Sequence, residues 1–261
     1  MDWGYKATLT MMTVAVVLLV AQIIGRRIAG IVAGLPVITA PALIWVAADQ
    51  GAAFAAEAAV GSIAASGSLA IFALVYERLS RSFGPTVTLI SSLTVLATAA
   101  LATLLLASWA DQSMLTLALA AMLCSAALAR LPSGARATRA VRPQGGVLLT
   151  SATAGSISVG VALGAHELGP FLAGLLASLP IISGAVLVNQ HLTAAPADIQ
   201  RFLRGYVTGL LGKAFFAFVF AISVMQIGAI LATGIALAIG LLVSLSITHG
   251  LVAINRRSAI V

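Results

Sequence analysis

The sequence predicts an all-α, polytopic membrane protein with about nine transmembrane helices, arranged as two inverted-topology four-helix repeats joined by one extra helix. Three observations predict it: a shortage of charge, the length of the apolar stretches, and a register at which one half of the chain matches the other. Of 261 residues, 61% are hydrophobic and only 8% are charged, and the mean hydropathy is +1.12. A soluble domain carries about a quarter charged residues, which cover its surface with groups that water solvates. A chain this poor in charge needs hydrocarbon as its outer solvent. In lipid every backbone polar group must be satisfied within the protein, which leaves helices and closed barrels. Barrel strands are about 9–11 residues long and alternate in character, whereas the apolar runs here are about twice that length and rich in Ala, Leu, Ile and Val.

Taken in order, the expected spans are 7–24, 28–47, 54–76, 85–108, 112–130, 147–165, 170–190, 203–224 and 228–252. The first does not read as a signal peptide, because it lacks a basic leader and Gln22-Ile23-Ile24-Gly25 is not a small-residue cleavage site. With the N-terminus outside, the cytoplasmic segments hold Arg26, Arg27, Arg78, Arg81, Arg130, Arg136, Arg139, Arg142, Arg201, Arg204, Arg256 and Arg257. Only Lys6 falls outside, and Lys213 falls within a span. The acids run the other way: Asp2, Asp49, Glu57, Asp111 and Glu167 are outside, against Glu77 and Asp198 inside. Basic residues mark cytoplasmic loops, so the expectation is a multi-pass protein of the plasma (bacterial inner) membrane, N-terminus out and C-terminus cytoplasmic. The formal charge of +7 is scattered over short loops, which argues against nucleic acid as a partner. The loop at 131–146, with Pro132, Pro143 and four arginines nearby, reads as a cytoplasmic linker, either a topology determinant beside anionic lipid or a docking site. Cys124 is the only cysteine and reads as a small apolar filler.

At an offset of 144 residues the halves resemble each other. Residues 29–38, Ala-Gly-Ile-Val-Ala-Gly-Leu-Pro-Val-Ile, match residues 173–182, Ala-Gly-Leu-Leu-Ala-Ser-Leu-Pro-Ile-Ile, at six of ten positions. The same ungapped register pairs Thr39 with Ser183, Leu43 with Leu187, Gly61 with Gly205, Phe72 with Phe216 and Gly84 with Gly228. The expected organisation is a first repeat over 1–110, a linking helix and basic loop over 111–146, and a second repeat over 147–261. Equivalent spans stand five apart, an odd number, so the repeats are expected upside down relative to one another. That symmetry is found in carriers that open alternately to each side.

Pro36 and Pro180 occupy equivalent mid-span positions. A mid-helix proline removes a backbone hydrogen bond and clashes with the preceding turn, so both helices are expected to be kinked or broken at one depth. Thr39 and Ser183 follow by three residues, where a hydroxyl can reach freed carbonyls. Together with Ser66 and Ser68 they read either as a binding site at mid-membrane or as packing kinks. The Gly30–Gly34 and Gly205–Gly209 pairs are the small-residue spacing at which helices approach closely. Lys213 lies about ten residues into its span, where a cation costs ~2.5–3.5 kcal/mol or more. It reads either as an anion-attracting group in a pathway or as a lysine held by carbonyls or snorkelling outward. Glu57, His166, Glu167, Asn189 and His191 near span ends read as gates, or as caps in contact with water.

There is no G-x-x-x-x-G-K-[ST] loop and no H-E-x-x-H, so no cofactor, metal or enzymatic activity is expected. The run Phe171-Leu-Ala-Gly-Leu-Leu-Ala-Ser-Leu-Pro-Ile-Ile, with its counterpart from Ile28 to Ile38, resembles the small four-span bacterial membrane proteins of the GlpM-like type, in each half separately. The resemblance implies a membrane location and leaves the substrate open. The expected function is a secondary transporter of a small solute, anionic if Lys213 lines the path. A passive channel and an accessory subunit of a membrane assembly are the alternatives. The lipid bilayer and the solute are the expected partners, and a homodimer is compatible with this plan.

Overall fold

The computed structural model describes residues 26–107, 113–132, 169–180 and 196–257, with positions 4, 5, 8, 11, 12, 15, 167, 183, 184, 187, 188, 191 and 192. Its helices are α1 (Arg26–Gly34), α2 (Thr39–Gln50), α3 (Ala52–Leu79), α4 (Pro85–Ala107), α5 (Ser113–Arg130), α6 (Pro170–Leu176), α7 (Pro196–Ile227) and α8 (Ala229–Arg257). No strand occurs among the described residues. Four segments are long and apolar enough to cross a membrane: Ile28–Gln50, Ala52–Leu79, Pro196–Ile227 and Ala229–Gly250. Pro85–Ala99 and Met114–Arg130 are shorter apolar helices. The spans expected at 7–24 and 147–165 lie outside the described residues.

The outward faces agree with a hydrocarbon surround. Ile90 on α4, Met122 on α5, and Ile230, Leu231 and Leu242 on α8 are all more than half exposed. Apolar surface of that extent is unusual on a protein facing water.

α3 and α7 form the centre. Residues 61–70 of α3 and 205–214 of α7 are buried without exception. Such all-round burial needs small side chains. Glycines let the surrounding helices sit directly on the central two, and a Cβ on them would strike partner backbone: Gly30 against the Phe202 carbonyl, Gly34 against that of Tyr206, Gly209 against that of Ile31. These hold α1 on α7. Gly61 against the Phe171 carbonyl and Gly174 against that of Ala58 hold α6 on α3. Gly212 and Gly240 do the same for α7 and α8. The tight turn between α7 and α8 is made at Gly228, whose φ of +77° suits a residue without a Cβ.

Contacts fix the directions. Gly30 meets Phe202 and Gly34 meets Tyr206, so α1 runs parallel to α7. Gly174 meets Ala58 and Ser178 bonds Ser62 at 3.1 Å, so α6 runs parallel to α3. Gln200, at the start of α7, donates to Glu77, near the end of α3, at 3.0 Å, so α3 and α7 are antiparallel.

α7 starts at Pro196 rather than near 203, and is 32 residues long, about 48 Å at 1.5 Å per residue. The polar residues of its first turns are satisfied within the protein. Arg201 donates to Asp198 at 2.7 Å, and Arg204 donates to the carbonyls of Leu131 at 2.7 Å and Leu128 at 3.3 Å. The helix therefore continues beyond the apolar zone.

Candidate functional site

Both proline-bearing helices are broken rather than kinked. Pro36 brings no N–H to the Val32 carbonyl, so Leu35 N–H turns to Ile31 at 3.0 Å and Val32 at 3.2 Å and α1 ends. Val37 N–H closes onto the Leu35 carbonyl at 2.8 Å, and Ala40 N–H restarts the helix on that of Pro36 at 2.8 Å. In the second break, Ser178 and Leu179 bond three residues back, to Leu175 at 3.0 Å and Leu176 at 3.2 Å. This is the tightened last turn of an ending helix. Gly184 N–H then bonds the Pro180 carbonyl at 2.7 Å.

The two breaks meet. Thr39 Oγ1 donates to the carbonyl of Ala177 at 3.2 Å, so the hydroxyl after the first break serves the second break, not its own. Ser178 Oγ donates to the Gly174 carbonyl at 3.0 Å, and the Ser62 hydroxyl then supplies the proton of the Ser62–Ser178 bond. Between the breaks lies a cavity of about 30 Å³, walled on the remaining sides by Leu69 of α3 and by Tyr206, Leu210 and Lys213 of α7. A water needs about 10–15 Å³ measured this way, so the space holds roughly two.

The walls come in pairs. Ala33 and Ala177, Gly34 and Ser178, Leu35 and Leu179, Thr39 and Ser183, and Leu69 and Lys213 all border the cavity, and the members of each pair stand 144 residues apart.

Of the residues singled out from the sequence, Thr39, Pro180, Ser183 and Lys213 border this cavity. Pro36 is buried beside it, with its neighbours Leu35 and Val37 on the wall. Ser66 and Ser68 do not reach it. Their hydroxyls donate to carbonyls one turn back, of Ser62 at 3.0 Å and Ala64 at 3.3 Å, the local bond that serine readily makes inside a helix. Cys124 is buried and lies against the Ser66 carbonyl at 3.7 Å. Glu57 and Glu167 are exposed, and Glu57 adjoins Ala58, which meets Gly174 across the α3–α6 seam. His191 contacts the hydroxyl of Tyr76 at 3.4 Å, at the Glu77 end. His166 and Asn189 lie outside the described residues.

Tyr206, Leu210, Ser178 and Leu69 were missed. A signal existed for each. Tyr206 and Leu210 precede Lys213 at helical spacings that share one face, while Ser178 and Leu69 stand 144 residues from Gly34 and Lys213.

Lys213 is 4% exposed, eighteenth of the 32 residues of α7, and makes no hydrogen bond or ion pair among the described residues. Ser183 is 1% exposed; its hydroxyl neighbours Tyr206 but has no hydrogen bond of ordinary geometry among the described residues. Two side-chain donors thus face one cavity without a hydrogen bond of ordinary geometry among the described residues. Searches against protein families, curated proteins and solved structures find no match for the chain.

Proposed function

We propose that the chain is a secondary transporter of a small solute, working by alternating access of two inverted four-helix repeats in a bacterial inner membrane. The observation that carries this reading is the paired wall of the cavity. A site lined by equivalent residues of two repeats, between two broken helices, is the arrangement by which carriers hold cargo at mid-membrane. The 144-residue register extends to the helix starts: Ala52 with Pro196, and Pro85 with Ala229. It extends also to the seams, since Gly30 on Phe202 and Gly174 on Ala58 are one contact repeated. Parallel seams on antiparallel central helices are what inversion requires. The end where Glu77, Arg81, Gln200, Arg201 and Arg204 gather is the cytoplasmic end in this reading, because basic residues stay inside.

The test uses the full chain in vesicles. Single cysteines at Arg26 and Glu167 label from opposite faces, and uptake saturates with solute and is accelerated by solute on the far side. Lys213→Ala inserts normally and takes up nothing. Labelling of both cysteines from one face, or uptake unaffected in Lys213→Ala, overturns the proposal. Uptake linear in concentration makes the protein a channel.

A further inference from the structure

We infer that the cavity between the two helix breaks is a binding site for a small, singly charged anion, held between Lys213 and Ser183. As the identity of the cargo this rests on the transport reading above; as a binding site it stands on the cavity alone.

Charge comes first. A buried charge is normally paired, yet Lys213 has no acid beside it. The described acids are Asp49, Glu57, Glu77, Glu167 and Asp198, and none borders the cavity. Glu77 is engaged by Arg81 and Gln200, and Asp198 by Arg201, both at one end of the bundle. An anion in the cavity would supply the counter-charge that no described acid provides. Its magnitude follows from the repeat: the position equivalent to Lys213 is Leu69, also on the wall, so the two halves together supply one positive charge. A dianion would leave one negative charge unbalanced among Leu35, Ile38, Leu179 and Leu210.

Hydrogen bonding gives the same answer. Thr39 and Ser178 have spent their protons on the Ala177 and Gly174 carbonyls. Ser183 has not, and an ammonium offers three donors and no acceptor. Among the side chains of the wall, the ammonium of Lys213 and the hydroxyl of Ser183 are the donors without a hydrogen bond of ordinary geometry among the described residues, and two convergent donors suit an anion. Size sets the upper limit. Room for about two waters favours a halide, formate or nitrate over an ion as bulky as gluconate.

The experiment measures thermal unfolding of the purified full chain with potassium chloride, formate or nitrate replacing potassium gluconate at constant ionic strength, with sulfate as the dianion control. A ligand that binds only the folded state raises the unfolding temperature in a saturable way. Wild type is expected to show that rise with the small monovalent anions and not with sulfate or gluconate. Lys213→Met is expected to lose it, Lys213→Arg to keep part of it, and Ser183→Ala to need higher anion concentration for the same shift. General salt effects act on all variants alike, so the difference between variants reports the site. If Lys213→Met cannot be purified, Ser183→Ala at wild-type elution volume carries the test. No anion-specific rise in wild type, or the same rise in Lys213→Met or Ser183→Ala, overturns the inference. Anion-specific stabilisation with no flux of these ions in vesicles removes the transport reading and leaves the site. Saturable flux of a neutral solute without anion-specific stabilisation does the reverse.

Discussion

The two helix breaks have nearly the same sequence and different chemistry. After the first, Thr39 is bonded to the Ala177 carbonyl across the cavity. After the second, Ser183 holds the equivalent place and its hydroxyl is unspent. On the central helices the contrast is larger, with Leu69 on α3 and Lys213 on α7 both facing the same space. The likeness of the halves makes the cavity, because two breaks brought together leave backbone and small side chains unable to fill it. The differences equip it, because one charge and one free hydroxyl lie on one side only. A fully symmetric pair would offer either no cation or two.

That contrast can be attacked at several strengths. Gly174→Val should have the largest effect, since its side chain would be driven into the Ala58 carbonyl. The expected result is loss of the monodisperse peak in size-exclusion chromatography. Gly184→Ala, whose Cβ meets only a Leu89 methyl at 3.8 Å, should elute as wild type. Glu77→Ala comes next: it removes a buried carboxylate that accepts from Arg81 and Gln200, and a hydrogen bond to a charged group is worth about 1.5–3 kcal/mol, readable in denaturant unfolding from mixed micelles. Thr39→Val should cost about 0.6 kcal/mol, the usual worth of an interhelical hydrogen bond in a membrane protein. Ser183→Ala should cost less than Thr39→Val, because its hydroxyl has only the neighbouring Tyr206 and no hydrogen bond of ordinary geometry among the described residues. Equal losses for Thr39→Val and Ser183→Ala would erase the distinction between the two breaks.

Much of this was readable in advance. Pro36 and Pro180 announce the breaks because an imino acid has no N–H to give, whatever the fold around it. Lys213 stands out because nothing else near mid-span carries charge. Other parts depend on partners the sequence does not display. Ser66 and Ser68 looked available, but each closes onto its own helix, and polarity alone cannot tell a free hydroxyl from a satisfied one. Asp198, Arg201 and Arg204 read as a cytoplasmic segment at the edge of a span near 203, and are the first turns of a helix whose Arg204 finds the carbonyls of Leu128 and Leu131. That contact requires α5 to end beside α7, a long-range fact. Thr39 was expected to reach a freed carbonyl, and the one it reaches belongs to the other break, a pairing that only the fold sets.

The glycine seams carry a mechanical consequence. Where Gly34 lies on Gly209, and Gly174 on Ala58, backbone rests on backbone, and there are no side chains to rotate into a second arrangement. Such a joint slides or separates as a whole; it cannot loosen by degrees. α1 is thereby carried by α7 and α6 by α3, so any large displacement within the bundle falls between these two rigid couples, and the plane of slip passes through the cavity itself.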